Sequence, residues 1–306
     1  MNIKRRNNKS IGITNQIIDI LNSTYFGKYY FEVAKVLRSS LFLSSILLNS
    51  EAWGYLSQKN IRKLEQMDEN LLSRVLDCAS KTSNTIKYLE LGVYPIRFEI
   101  MKRSVVFLQY ILKQEKSSMI YQVLKVTLDN PTKNDFGETC KQYLNVLDIK
   151  LSFVEMEKMT VLRFKNLVKD KTEKAAFKYL LSEKEKQTKI SNIKYEKLEI
   201  QRYLSGEGCN VKLAKLIFKA KSQTLDIKTH RKWKYSDNLC SGCKLKEETG
   251  QEILVCKNFK EKNNDSTRDA NYSDFYSIDV SDIVKTGKIL QNNLRRRQEI
   301  LESGVT

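Results

Sequence analysis

The chain has 306 residues, of which 41% are apolar, and its formal net charge is +18. That length is enough for more than one domain with an ample buried core. No apolar run reaches the roughly 20 residues that a bilayer-spanning helix needs. The basic residues Lys4, Arg5 and Arg6 are not followed by the apolar stretch of a secretory signal. Composition therefore argues against a helical membrane protein and a secreted protein, and we expect a nuclear or cytoplasmic location.

The scarcity of chain-breaking residues predicts an all-α fold. The sequence contains only 2 prolines and 11 glycines, which favours long helices over a many-turned β architecture. Residues 1–9 are expected to form a disordered basic arm. Apolar residues at helical spacing then predict helices over residues 14–24, 31–48, 57–75, 84–91, 96–112, 115–128, 136–147, 160–181, 196–204 and 211–221.

Individual residues fit these helices in recognisable roles. Ser57 is a plausible N-cap, and Gly92 suits the position just after a helix. Asp68 falls inside an apolar stripe, so we expect a nearby cap or basic side chain to satisfy it rather than a metal. Arg97 and Arg103 could contact a phosphate, but pairing with Glu90 and Glu99 is the favoured interpretation.

Positive charge is concentrated between residues 158 and 234, where 21 lysines and arginines face 8 acidic residues. Such a block is the electrostatic footprint of a protein that binds a polyanion such as nucleic acid. The alternative is a solvated lysine-rich surface that keeps the protein soluble. The candidate nucleic-acid-binding residues are Lys165, Lys169, Lys174 and Lys178 on one predicted helix, and Lys228, Arg231, Lys232, Trp233 and Lys234 further on.

The second of these groups interleaves cations with an aromatic ring. Stacking of bases on aromatic rings, with phosphates paired to lysines, is how many proteins hold single-stranded nucleic acid. Trp233 could equally be a packing anchor for a small neighbouring module.

Three of the six cysteines form the pattern Cys240-x2-Cys243 followed by Cys256. The Cys-x2-Cys spacing lets one turn offer two thiolates to a tetrahedral zinc ion. The other cysteines, Cys78, Cys140 and Cys209, have no ligand spacing and are expected to be ordinary reduced thiols.

Two segments, Ser50-Glu51-Ala52-Trp53 and Tyr88-Leu89-Glu90-Leu91-Gly92-Val93-Tyr94-Pro95-Ile96-Arg97-Phe98, are the main members of an ordered series along the chain. This series resembles the reverse transcriptases of non-LTR retrotransposons, in the part that follows the catalytic palm. Segments at residues 11–17, 26–31, 118–121, 130–135 and 197–201 continue the same order, and Tyr235-Ser236-Asp237 precedes the cysteine cluster. Most of residues 10–300 is covered, and the order of the segments carries the resemblance more than any single one does.

The resemblance implies a division of the chain and a function. It implies a thumb-like helical domain over residues 10–150, a basic helical region over 151–234, a degenerate zinc knuckle over 235–260, and a polar linker with a terminal helix over 261–306. The implied function is binding of RNA or DNA, as template–primer or element RNA. Zinc is the possible cofactor that the resemblance implies, with no nucleotide cofactor, and the alternative is an eroded knuckle that holds three reduced thiols. In the family the knuckle has a histidine, and here Glu252 stands at the corresponding spacing, so the expected ligands are Cys240, Cys243, Cys256 and Glu252.

The resemblance also implies that this chain is not an enzyme on its own. Polymerases of this class hold two metal ions with paired aspartates, and the sequence contains no adjacent Asp-Asp pair. The palm active site would then lie upstream of Met1. Two alternatives stay open: a decayed transposon product without activity, and a helical protein-interaction scaffold whose charge is incidental.

Overall fold

A computed structural model describes residues 3–53, 56–130, 132, 135–230, 235, 237–259, 270–277 and 279–303. Among these residues, β structure is limited to two isolated antiparallel bridges, Leu91 with Ile200 and Leu239 with Glu247. The prediction of an all-α fold is confirmed. None of the helices in this part of the chain has the length and apolar character required to cross a membrane.

The helices fall into an N-terminal, a middle and a C-terminal series. The N-terminal series is α1 (Ile3–Ser23), α2 (Tyr30–Leu37), a π-helical turn (Arg38–Leu43), α3 (Ser44–Ile46), α4 (Gln58–Val75) and α5 (Asn84–Glu90). The middle series is α6 (Ile96–Leu112), α7 (Met119–Asp129), α8 (Phe136–Val146), α9 (Phe153–Lys158) and α10 (Val161–Glu185). The C-terminal series is α11 (Val211–Lys221), α12 (Gly250–Val255) and α13 (Val280–Glu302). Short 3-10 turns lie between the helices at Gly27–Tyr29, Ser50–Ala52, Lys257–Phe259 and Tyr272–Tyr276.

Local sequence signals account for several helix ends. The Ser57 hydroxyl accepts a hydrogen bond from the Asn60 amide at 3.3 Å, which confirms the predicted N-cap of α4. Gly92 follows α5 with φ +59°, in the left-handed region that glycine enters without strain. Helices α6 and α11 have the predicted bounds.

The expectation that residues 1–9 are disordered is wrong for residues 3–9, which belong to α1. Arg6 explains why this basic segment is held in place. Its guanidinium donates to the carbonyl oxygens of Ile46 and Leu48 and lies 4.6 Å from the ring centroid of Trp53. A long-range contact of this kind leaves no periodicity in the local sequence.

The predicted helix over residues 196–204 is also wrong. Ile200 pairs with Leu91, and the Gln201 amide donates to the Glu90 carbonyl at 3.0 Å. These backbone hydrogen bonds to a distant segment replace the intrahelical ones, which overrides local helix propensity.

Buried apolar residues form two cores. The first joins residues from α1 to the start of α6 with residues of the C-terminal series, and the second lies among α6, α7, α8, α9 and α10. Helix α10 takes part in both, with Phe164 and Val168 in the second core and Leu180 in the first. The predicted boundary between residues 150 and 151 falls within the second core, so it does not coincide with a division between the two.

Buried and partly buried ion pairs lie within the N-terminal series, within α6, and between the two. Arg38 donates two hydrogen bonds to Asp68, at 2.7 and 2.6 Å, which confirms that a basic side chain satisfies this carboxylate. Arg103 pairs with Glu99 at 3.1 Å, as predicted. Arg97 instead pairs with Glu65 at 2.6 Å, so its predicted pairing with Glu90 is wrong.

Glu90 pairs instead with a residue that is distant in the sequence. Its carboxylate is fully buried and accepts from the ammonium of Lys221 on α11 at 2.8 Å and from the hydroxyl of Tyr203 at 2.6 Å. The hydroxyl of Tyr195 also donates to it. Arg97 cannot serve here, because the N-terminal turn of α6 directs it towards α4.

Candidate metal centre and basic surfaces

A short loop and the helix that follows it bring the cysteine cluster together. The Cys240 amide donates to the Lys246 carbonyl at 2.7 Å, and the Lys244 amide donates to the Cys240 carbonyl at 2.9 Å. Lys244 adopts φ +58°, which turns the chain back on itself after Cys243. Thr249 then caps α12, which carries Glu252 on its first turn and ends at Cys256.

The four predicted ligands converge. The ligand atoms of Cys240, Cys243, Glu252 and Cys256 all lie within 4.8 Å of one another, so the predicted set can hold a metal ion. Cys240 and Cys256 are buried, and Glu252 is only 7% exposed. His230 is not part of this group of ligand atoms.

Two of the six distances between these ligand atoms match those expected around a tetrahedral zinc ion. The sulfur atoms of Cys240 and Cys256 are 3.7 Å apart, and zinc–sulfur bonds of about 2.3 Å at tetrahedral angles place two sulfurs about 3.8 Å apart. The Cys243 sulfur lies 3.5 Å from a Glu252 carboxylate oxygen, and one zinc–sulfur bond with one zinc–oxygen bond of about 2.0 Å gives about 3.5 Å. Both edges therefore match a site with three thiolates and one carboxylate.

The surroundings of the Glu252 carboxylate also favour a bound cation. Its carboxylate lies in a buried position where the thiol of Cys243 is its polar partner, and no lysine or arginine of the described residues pairs with it. A buried carboxylate is costly unless a cation compensates it. A divalent ion at this position would supply that charge.

The thiols themselves differ in acidity. Burial raises the pKa of Cys240 to about 12 and also raises the pKa of Cys256. Backbone N–H groups of the loop, led by that of Leu245, lower the pKa of Cys243. Thiols whose pKa is raised need a bound metal to become thiolates near neutral pH.

A second buried carboxylate anchors the cysteine loop to α13. Glu248 accepts hydrogen bonds from the backbone and hydroxyl of Ser241, at 2.9 and 2.6 Å, and pairs with Arg297 at 2.7 Å. Burial acts to raise the pKa of Glu248, but the hydrogen bonds from Arg297 and Ser241 outweigh it and hold the pKa below its ordinary value. Ser241 adjoins Cys240, so this network positions the loop that presents the thiols.

The four predicted lysines of α10 are exposed but do not form a single ladder. Nine residues separate Lys165 from Lys174 and Lys169 from Lys178, which is about two and a half turns at 3.6 residues per turn. Lys165 and Lys169 line a cleft against α6, whereas Lys174 and Lys178 lie about half a turn away around the helix. Lys174 pairs with Asp170 at 2.9 Å, whereas neither Lys165 nor Lys169 has an ion pair within the described residues.

Lys228 does not fit the role predicted for it. It is 5% exposed, and its ammonium pairs with Asp237 at 2.8 Å. It therefore holds the start of the cysteine module in place and is not available to a phosphate. The other predicted residues of this group, Arg231, Lys232, Trp233 and Lys234, lie outside the described residues.

The structure also reveals a contact that no local pattern predicted. Gly92 lies against the backbone of residue Glu199, and a Cβ at Gly92 would come within 2.1 Å of the Glu199 carbonyl carbon. Two segments that carry the family resemblance, residues 88–98 and 197–201, are thus packed together. The one local signal for this contact is the absence of a side chain at residue 92, and a glycine at that position equally fits a helix end.

Comparison with known proteins adds no further constraint. Neither a protein-family model, nor a curated protein, nor a solved structure matches this chain.

Proposed function

We propose that this chain binds RNA or DNA electrostatically, as the non-catalytic C-terminal part of a non-LTR retrotransposon reverse transcriptase. One observation carries the proposal: Lys165 and Lys169 are exposed and lack acidic partners within the described residues, in a chain of net charge +18. Surface cations that are not already neutralised are the ones that displace counterions from a phosphate backbone. Binding of this kind is largely independent of sequence.

The contact between residues 88–98 and 197–201 supports the family part of the proposal. When two segments that resemble one family lie far apart in the sequence, contact between them in the fold strengthens the resemblance. The bridge between Leu91 and Ile200 and the close approach at Gly92 provide that packing.

Within this function, a zinc ion held by Cys240, Cys243, Cys256 and Glu252 has a structural role. It would join the loop to α12, and α13 would hold α12 through Asn293, whose amide donates to the Ile253 and Leu254 carbonyls at 2.7 and 3.2 Å. A closed four-ligand site leaves no open position for a substrate.

Binding of the purified chain to structured RNA, single-stranded DNA and duplex DNA, measured with and without a zinc chelator, tests the proposal. We expect binding to all three that weakens as salt rises. Chelation is expected to weaken binding if the cysteine module contributes to the surface. Absence of binding at low salt would contradict the proposal.

A specific surface favours the rival function of a protein-interaction scaffold. Met119, Val123 and Val126 on α7 are 84%, 58% and 60% exposed. They recur at intervals of three and four residues, so they form an apolar stripe on one face of the helix. A chain that binds no nucleic acid, but whose self-association or partner binding is lost on Val123→Lys, would support this function instead.

A further inference from the structure

The cleft between α6 and α10 combines cations with exposed aromatic rings. It has a volume of about 620 Å³ and is lined by both helices together with Glu51. Its walls carry Lys102 and Arg103 from α6, Lys113 directly after that helix, and Lys165 and Lys169 from α10. Glu51 is its one acidic residue, so the cleft has a positive balance.

Two stacked rings form the apolar part of the same cleft. Phe107 and Tyr110 lie one helical turn apart on α6, with ring centroids 5.8 Å apart and planes at 12°. Phe107 is supported from behind by the edge of Phe136, at 5.9 Å and 73°. Tyr110 is 55% exposed, so the outer member of a supported stack is left accessible to solvent.

The surrounding contacts fix these rings while leaving positive charge available. Lys113 donates to the Glu157 carbonyl at 2.6 Å, which orders its ammonium without neutralising it. Arg103 is partly neutralised by Glu99. Lys165 and Lys169 have no hydrogen-bond or ion-pair partner among the described residues.

We propose that this cleft binds a single strand of nucleic acid, with a base stacked on Tyr110 and the flanking phosphates on Lys165 and Lys169. The inference rests on the proposed function and narrows it to a strand type and a site. A base has a flat π-face that extends the Phe107–Tyr110 stack, and alternation of rings with cations matches alternation of bases with phosphates. In a duplex the bases are already stacked on one another, so Tyr110 selects an unpaired segment.

The test compares binding of the whole chain to a 12-nucleotide oligo(dT), an oligo(rU) of equal length and a duplex DNA. Tyr110→Ala is expected to weaken binding of the single strands by roughly 5- to 150-fold, which is the usual contribution of one stacked base, and to leave duplex binding unchanged. Tyr110→Trp retains a stacking ring, so it should bind at least as well as the original chain. Its added fluorescence should be quenched when a strand binds.

Tyr25→Ala is the matched control, because Tyr25 is 97% exposed and does not line the cleft. It should bind like the original chain. If Tyr110→Ala binds single strands as tightly as the original chain, while that chain binds with a clear dependence on salt, the stacking site is wrong and the proposed function stands. If the original chain binds no nucleic acid, the proposed function fails and the inference fails with it. The DNA and RNA oligomers distinguish which strand the cleft prefers.

Discussion

At the scale of single residues, four buried carboxylates illustrate how negative charge is compensated in the interior, and each of the four has a different partner. Asp68 has Arg38, Glu90 has Lys221, Glu248 has Arg297, and Glu252 has the three cysteines. Each of the first three is paired with a cationic side chain. Glu252 is the exception among these four, and for this reason we propose it as a metal ligand.

Glu252→Ala tests that distinction. Removing one of four ligands should lower zinc affinity by more than the 10- to 100-fold that loss of a supporting hydrogen bond causes. Glu252→His should bind zinc more tightly than the original chain, because imidazole is a common fourth ligand beside three thiolates. Zinc content after dialysis against graded chelator measures both, and Glu247→Ala, at an exposed neighbouring carboxylate, is the control. Equal zinc retention in Glu252→Ala and the original chain would show that Glu252 is not a ligand.

Glu90→Gln tests the buried pair with Lys221. The ammonium of Lys221 is 3% exposed and would be left without a counter-charge, so we expect a loss of about 3–5 kcal/mol in the free energy of unfolding. Glu199→Gln removes an exposed pair with Lys197 and should cost less than about 1 kcal/mol. Denaturant unfolding measures both, and similar losses in the two variants would contradict the role of Glu90.

The pKa of Glu248 implies a pH dependence. Its folded pKa lies below the ordinary value, so its contribution to stability is complete above the unfolded pKa of about 4.3 and is lost as pH falls through the folded pKa. Glu248→Gln should therefore be less stable than the original chain near neutral pH, and the difference between them should narrow as pH falls below about 4. A difference that stays constant down to pH 2 would contradict this account. Unfolding midpoints measured across that range decide between the two results.

At the scale of elements, local patterns predicted helices well and non-local contacts poorly. Helix α6 and the Ser57 cap follow from apolar spacing and one side-chain hydrogen bond, which are properties of adjacent residues. The irregular course of residues 196–204 depends on the backbone of Glu90 and Leu91, about a hundred residues earlier. The local sequence carries no information about such a distant partner, so local helix propensity predicted the wrong structure for residues 196–204.

The same difference applies to the candidate site. The convergence of three cysteines was predictable because Cys240, Cys243 and Cys256 have a spacing that reflects one turn and one helix, whereas Glu252 was expected only from the family resemblance. The arrangement of the lysines on α10 was predictable in part, since all four are exposed. Which of the four lysines share a surface depends on how α6 packs against α10. Without that packing, the sequence gave no signal that the aromatic rings of α6 line the same cleft.

Gly92→Ala tests the close approach between two distant segments. A Cβ at Gly92 would collide with the Glu199 backbone, and the residue would have to keep a positive φ, so we expect a loss of at least about 1–2 kcal/mol from the conformation alone. Gly12→Ala is the matched control, because nothing lies within 4 Å of its Cβ position in α1. There the better helix propensity of alanine should raise stability by up to about 1 kcal/mol. Thermal or denaturant unfolding should move in opposite directions for the two variants, and the same direction would contradict the account.

At the scale of the whole molecule, apolar packing forms the frame, and the surface of that frame carries the charge. The first core joins the N-terminal series to the helices that hold the cysteine module, and α10 links this core to the second one. The net charge of +18 is carried on that frame, and the cleft between α6 and α10 is where free cations and aromatic rings meet. We therefore expect polyanion binding to be localised at this cleft, not spread evenly over a basic surface.

The salt dependence of binding to a single-stranded oligonucleotide tests this central claim most directly. The original chain should give a steep log–log slope, and Lys165→Gln with Lys169→Gln should reduce its magnitude by about 1.4, since each phosphate contact on a single strand contributes about 0.7. Lys174→Gln with Lys178→Gln removes the same charge from the other side of α10 and should change the slope much less. Equal slopes for the two double variants, or a flat slope for the original chain, would contradict the account.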